Sequence, residues 1–275
     1  MNTTNYHIMK CTRIFSLFML IAFAFISCND DETQQVATLT NPVLLEEFDT
    51  EGAPNSSVWT FDLGRGDNGW GNQELQYYTD RTENIKVENG YLLINAIQEP
   101  FEGANYTSAR IKSENLFEQQ YGRFEARMRL PYGQGIWPAF WLLGNDCDVN
   151  TWPQCGEIDI MEFRGQEPSK IHGSVHGPGY SAGNAVTKSY TLNNDRFDTG
   201  FHVFGIEWSP DAINYYVDGD LYNTITRDDV PGEWVFDHPF YIIINLAVGG
   251  TFVGSPDTNT EFPQTMLVDY VRVYE

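Results

Sequence analysis

From Pro42 to the C-terminus the chain alternates apolar and polar residues in short runs broken by Gly, Pro and Asn. Phe124, Ala126, Met128 and Leu130 interleave with Arg123, Glu125, Arg127 and Arg129, the two-residue period of a strand with one face buried and the other in water. Comparable runs stand at 91–97, 136–143, 202–208, 213–219, 241–248 and 266–274, and the VDGD stretch at 217–220 carries the Asp-Gly signal of a tight hairpin. No long amphipathic helical pattern and no internal repeat interrupts them. Many short strands with this punctuation predict an all-β fold, a sandwich or jelly roll of two antiparallel sheets.

One run departs from the pattern. In residues 156–163 (GEIDIMEF), Glu157 and Asp159 share a face while Ile158 and Ile160 share the other. Glu162 lies five positions from Glu157 and falls on the opposite face under strict alternation, so a β-bulge near Met161 is expected to bring it back. A row of like charges with no Lys or Arg interleaved does nothing for a structural strand. Glycoside hydrolysis with retention needs such a pair, one carboxylate and one carboxylic acid about 5–5.5 Å apart. Four regular steps separate the two Cα atoms by roughly 13 Å at about 3.3 Å per residue, so the long side chains must lean together across Asp159. The Asp159 charge, or a shared proton, would then hold Glu162 protonated while Glu157 stays ionised.

The 275 residues suffice for one large β domain. Lys and Arg number 16 against 38 Asp and Glu, a formal charge of −22 that repels nucleic acid and anionic lipid and favours a neutral substrate. Lys10 and Arg13 precede an apolar run at 14–26, too short for a comfortable membrane span but suited to a signal peptide. The run ends in FISC, similar to the lipobox of bacterial lipoproteins, which implies lipidation at Cys28 and removal of residues 1–27. That removal takes Lys10 and Arg13 and no acid, leaving a net charge of −24. Residues 28–41 read as a flexible tether and 42–275 as the folded domain. The acidic CNDDE stretch is similar to that of surface-displayed lipoproteins, which implies an outer-membrane protein, exposed at the cell surface, whose lipid is its only membrane contact.

Cys147 and Cys155, eight positions apart, either pair in an oxidising compartment or stay as two buried thiols. GRGDNG at 64–69 satisfies GxGxxG, yet no helical pattern follows it, so no dinucleotide site is expected. Zinc spacings and phosphate loops are absent from the sequence.

GEIDIME, with its extra Met, resembles the active-site signature of glycoside hydrolase family 16 in its bacterial laminarinase branch of endo-1,3-β-glucanases. The resemblance extends over GWGNQELQYYT (69–79), YTSARI (106–111), YGRFEARMRLPYGQGIWPAFWLLG (121–144), WPQCGEIDIMEFRG (152–165), GSVHGPGY (173–180), PFYIIINLAVGG (239–250) and FPQTMLVDYVRVY (262–274). It implies a jelly roll with a concave glycan cleft, double displacement, and Glu157 as nucleophile, Asp159 as assisting acid and Glu162 as acid/base. It also implies that Trp137 and Trp141 stack on sugar faces, that Asn72 and Arg110 bind sugar hydroxyls, and that Trp152 and His176 stand near the catalytic subsites.

Catalysis in such enzymes needs no cofactor. Many of the family hold a structural calcium, whose matching positions here are Glu47 (or its neighbour Asp49), Gly90 and Asp269. The expected partner is a β-glucan polysaccharide such as laminarin, met by a monomer. Mixed-linkage β-1,3-1,4-glucan is the alternative substrate, which the extra Met disfavours because lichenases resemble the shorter EIDIE form. A noncatalytic glycan-binding lipoprotein is the alternative class, and it would not need the three carboxylates.

Overall fold

The computed structural model of the protein describes residues 41–275. Cys28, the apolar run and the tether up to residue 40 lie outside the described residues. In chain order the strands are β1 (Pro42–Glu46), β2 (Thr60–Asp62), β3 (Gln76–Tyr78), β4 (Ile85–Glu88), β5 (Tyr91–Phe101) and β6 (Ala104–Ser108). Next come β7 (Arg110–Lys112), β8 (Glu118–Gln119), β9 (Gly122–Arg129), β10 (Ile136–Gly144), β11 (Glu157–Phe163) and β12 (Lys170–His176). The last six are β13 (Val186–Thr191), β14 (His202–Trp208), β15 (Ala212–Val217), β16 (Asp220–Thr226), β17 (Phe240–Val248) and β18 (Gln264–Tyr274).

They form two mostly antiparallel sheets, the jelly roll that the alternation predicts. The ten-stranded sheet runs β16-β15-β14-β9-β18-β5-β6-β3, with β1 on β18 and β4 on β5. The eight-stranded sheet runs β13-β12-β11-β10-β17-β7-β2, with β8 on β17. Among the described residues no helix is long and apolar enough to cross a membrane.

The core lies between the sheets and takes the apolar half of each strand. Phe124, Ala126 and Met128 of β9 meet Phe140 and Leu142 of β10 and Ile242, Ile244 and Leu246 of β17, all at 0 % exposure. Each large side chain so buried contributes roughly 1.5–3 kcal/mol. The polar face of β9 is drier than alternation implies. Arg123 and Glu125 are both only 8 % exposed, and Arg123 bonds Glu125 at 2.8 Å and Glu207 at 3.3 Å. At the predicted hairpin, Asp218 and Gly219 take positive φ (53° and 91°) and Val217 pairs with Asp220.

The bulge decides the geometry of the site. On β12, Asp159 faces Ser174 and Glu162 faces His172, so Ile160 and Met161 together oppose the single residue Gly173. On β10 the register likewise passes from Trp141↔Asp159 to Phe140↔Met161. Ile158, Ile160, Met161 and Phe163 all turn into the core, at most 2 % exposed, which leaves Glu157, Asp159 and Glu162 in one row on the outer face. Gly173 makes room behind the bulge. A Cβ there would lie 2.7 Å from Tyr215 Cδ1 and 2.4 Å from Tyr222 Oη, and Tyr215 Oη donates to the Ser174 carbonyl at 2.8 Å.

Gly173→Ala is therefore expected to overpack this spot by about 2 kcal/mol and to lower Tm by about 4–8 °C, measured by calorimetry. An unchanged Tm would show that the tyrosines yield without cost.

Candidate active site

Side chains from the outer face of the eight-stranded sheet gather around the three acids, and loops bring others to them. Opposite Glu157, Asp159 and Glu162 stand His176, Ser174 and His172 of β12; from β10 come Trp137 and Trp141, and from β17 Asn245. The Cys147–Cys155 disulfide, with Cα atoms 5.0 Å apart, closes the loop that delivers Trp152. Trp152 Nε1 donates to Glu157 Oε2 at 2.9 Å, and its ring lies 5.9 Å from that of His176.

At the other end of the row Trp137 is 9 % exposed and packs on Phe252 at 5.0 Å. Its Nε1 donates to Glu162 Oε1 at 3.2 Å. Most of the ring of Trp137, expected to stack on sugar, is buried, and its N–H serves the carboxyl group. Phe252 also packs edge-on to His172 at 5.6 Å, and the Arg164 guanidinium lies 4.1 Å from the Phe252 centroid.

Asn72, Arg110 and Trp141 gather in a third group. The Arg110 guanidinium sits 4.8 Å from the rings of both Trp70 and Trp141, and its Nε lies 2.8 Å from Asp62 Oδ2. Arg110 thus lies against one face of Trp141. Trp141 Nε1 donates to Asn245 Oδ1 at 2.8 Å, Asn245 Nδ2 to Tyr78 Oη at 3.2 Å, and Tyr78 Oη to Glu74 Oε2 at 3.2 Å. Gln76 also donates to Glu74, at 2.6 Å, and Asn72 does so at 3.4 Å. Burial raises the Glu74 carboxyl despite these donors.

Sequence reasoning singled out neither Trp70, Glu74, Tyr78, Asn245, Phe252 nor His172. A lone Asn in the apolar run YIIINLAV and a His four residues before His176 were signals within reach. Phe252 sits in an irregular loop, where periodicity says nothing.

Burial, then the Asp159 charge, pushes Glu157 up to about 8, against the pull of His176 and the Trp152 N–H. Burial, then Asp159, pushes Glu162 well above the ordinary carboxyl range, with the Trp137 N–H opposing. Both carboxyls are raised, and what differs is the neighbour: the Trp152 N–H and His176 stand beside Glu157, the Trp137 N–H beside Glu162.

For His176, burial opposes charge, but Asp159 and Glu157 prevail and raise it to about 10. A backbone contact resists that second proton: the Ala182 N–H donates to Nδ1 at 3.1 Å, so Nδ1 must offer a lone pair. On this geometry the ring is neutral with its proton on Nε2. Burial, then Arg164 and Lys170, lowers His172 to about 4.

Glu157, Asp159 and His176 bring three potential ligand atoms within 4.8 Å of one another, the one such group among the described residues. With the proton on Nε2 the imidazole has no lone pair to give there, so the group does not fit a metal ion. The positions expected to hold calcium do not fit one either. Glu47 is held in a two-bond pair by Arg272 (2.8 and 2.9 Å) and Asp269 by Arg127 (2.6 Å), while Gly90 serves an Asn-Gly turn with positive φ at both residues.

The chain matches the family model described as Glycosyl hydrolases family 16 over residues 66–272. It is 43 % identical over 239 residues to a β-glucanase of Rhodothermus marinus, covering 83 % of each chain. It is 40 % identical over 250 residues to a glucan endo-1,3-β-glucosidase of Cryptopygus antarcticus, covering 84 % of this chain and 91 % of that one. Among solved structures, the endo-β-1,3-glucanase from Pyrococcus furiosus superposes with a TM-score of 0.82 at 48 % identity, over 87 % of this chain and 98 % of that one.

Three clustered carboxyls lower stability where they ionise. Because Glu162 has a raised folded-state pKa, the folded protein holds a proton that the unfolded chain loses above its ordinary 4.5, and stability falls as pH rises beyond that value. Glu162→Gln is expected to raise Tm by about 2–6 °C at pH 8 and by little at pH 5. An equal gain at both pH values would point to packing rather than charge.

Proposed function

The chain belongs to glycosyl hydrolase family 16, and from that premise we propose that it cleaves internal β-1,3-glucosidic bonds of laminarin-type glucans with retention. The observation that carries the reading is the outer-face row Glu157, Asp159, Glu162, with the Trp152 N–H on Glu157 and the Trp137 N–H on Glu162. Protonated Glu162 gives its proton to the glycosidic oxygen as the Glu157 carboxylate attacks the anomeric carbon, and the bond to the leaving sugar breaks. A covalent glycosyl-enzyme forms at Glu157. The Glu162 carboxylate then takes a proton from water, whose oxygen attacks the same carbon and frees Glu157. Asp159, 3 % exposed between them, carries the charge that raises both neighbours. No cofactor enters these steps.

Asn72, Arg110, Trp141 and Trp152 are proposed to bind the chain of sugars along this face. The resemblance of GEIDIME, with its extra Met, to the laminarinase form rather than the shorter lichenase form favours laminarin over mixed-linkage glucan as preferred substrate. No calcium is assigned to Glu47, Gly90 and Asp269, because arginines already neutralise both carboxylates.

Purified protein is expected to release a ladder of oligosaccharides from laminarin faster than from mixed-linkage glucan, with products separated by size. Glu157→Gln should lower the rate by about 10⁴-fold with Tm preserved. Silence of the wild type on both glucans, with retention in a laminarin gel, would replace this reading by that of a glycan-binding protein.

The sequence before Pro42 supports a second proposal, that Cys28 carries a lipid and tethers the domain of residues 42–275 to a bacterial outer membrane. Cys28→Ser should move the protein from the membrane fraction to the soluble one; unchanged membrane retention would sink the proposal.

A further inference from the structure

We propose that Glu74 is a specificity-determining positioning residue: as an anion it turns the side-chain amide of Asn72 so that the carbonyl oxygen Oδ1, and not the NH2 group, meets a sugar hydroxyl. The proposal rests on the reading of Asn72 as a sugar contact and deepens it to the polarity of that contact.

Glu74 stands just before β3, and Glu74, Gln76 and Tyr78 turn one face of the segment inward, at 6 %, 0 % and 0 % exposure. Two relays of hydrogen bonds end at its carboxyl, and each starts from a group that can only donate. Trp141 Nε1 is one such group, so Asn245 offers it Oδ1 at 2.8 Å and turns Nδ2 to Tyr78 Oη at 3.2 Å. Accepting there, the Tyr78 hydroxyl gives its own proton to Glu74 Oε2 at 3.2 Å. The Val248 backbone N–H starts the other relay. Gln76 offers it Oε1 at 2.8 Å and donates from Nε2 to the same Glu74 Oε2 at 2.6 Å. Asn245, like Glu74, is 6 % exposed, so these partners rather than bulk water fix the direction of each bond.

With both relays on Oε2, the other oxygen is left to Asn72, whose Nδ2 donates to Oε1 at 3.4 Å. An amide has one donor end and one acceptor end, so whatever holds one end decides what the other presents. An ionised Glu74 takes the NH2 end and leaves Oδ1 for a hydroxyl to donate to. A proton on Oε1 would reverse the amide. Burial works against the anion, and the three donors with the nearby Arg110 charge work for it.

The backbone around Asn72 is held in place at a cost. Asn68, Trp70 and Gln73 take φ of 50°, 54° and 59°, left-handed conformations that are unfavourable for residues other than glycine. The Thr251 N–H donates to the Asn72 carbonyl at 2.8 Å. A Cβ on Gly250 would lie 3.1 Å from that carbonyl oxygen, 3.4 Å from the Trp137 ring and 3.5 Å from Glu74 Cγ. Asn72 and Glu74 therefore pack against the same glycine as the indole that serves Glu162.

Glu74→Gln keeps the shape and tests the polarity. The introduced carbonyl can take the place of Oε2 and accept from both relays, so the introduced NH2 faces Asn72, which must turn Oδ1 to it and its own NH2 to sugar. KM for a short β-1,3-gluco-oligosaccharide is expected to rise about tenfold with kcat nearly unchanged, as for a contact shared by ground and transition states. Adding Asn72→Asp to Glu74→Gln supplies an acceptor at both ends, and KM should return to within about threefold of wild type. Asn72→Asp alone leaves the buried relays intact but sets two carboxylates side by side, and KM should rise by at least as much as in Glu74→Gln.

A wild-type KM in Glu74→Gln would show that Oε1 already carries a proton and would overturn the proposal. A double variant no better than Glu74→Gln would do the same, because a carboxyl that only supports the fold is not rescued by a change at Asn72. A normal KM in Asn72→Asp alone would remove the need for a donor toward Glu74. Failure of the parent reading looks different: then the wild type itself is inactive on β-1,3-glucan, or Asn72→Ala leaves KM unchanged.

Discussion

Two residues of β11 set against one of β12 place every acidic group of the active centre. With Glu162 five positions on from Glu157, a regular strand must bury one of them or expose part of its apolar face. The bulge sends both Ile160 and Met161 inward against Gly173, so the strand keeps its core contacts and all three acids point outward. The apolar side enforces the arrangement: slipping β11 by one residue would put carboxylates into a space filled by Phe140, Tyr215 and Ile244. Repulsion among the acids is tolerated because burial on the other face outweighs it.

The same economy explains why indoles in the cleft are tied down by their N–H groups. Trp137 is bonded to Glu162, Trp152 to Glu157 and Trp141 to Asn245. A large ring with one polar atom can fix a neighbour's orientation and screen it from water at once; the screening raises the proton affinity of the carboxyl it touches, and the N–H bond opposes that rise. Arg110 extends the logic between two indoles, where Asp62 holds one edge of its guanidinium.

Much of the fold was legible because burial writes itself as a period of two. β9, β10, β14, β17 and β18 all lie where alternation or apolar runs put them, and the bulge followed from parity alone. What escaped notice has physical reasons. Arg123 and Glu125 read as solvated, yet they are covered, since charge pairing with Glu207 leaves no trace in the period of β9. Phe252 reaches the cleft from an irregular loop, and Glu74 is buried by long-range contacts to Tyr78 and Gln76 that no local spacing encodes. The row of acids was visible, and Trp137 and Trp152 were named beside it; that their N–H groups serve Glu162 and Glu157 was not.

That pairing of indole and acid depends on parts of the chain that never approach the reacting carbon. The disulfide loop sets Trp152, and the loop bearing Phe252 seals Trp137 over Glu162. Each acts on one member of the row. Two glutamates of identical chemistry, held on a common strand and exposed to a common cleft, would titrate alike if the sheet alone determined their surroundings. Loops break the symmetry, and they do so with N–H groups and aromatic rings rather than with cations, because a cation beside Glu162 would favour the charged form that a general acid must avoid.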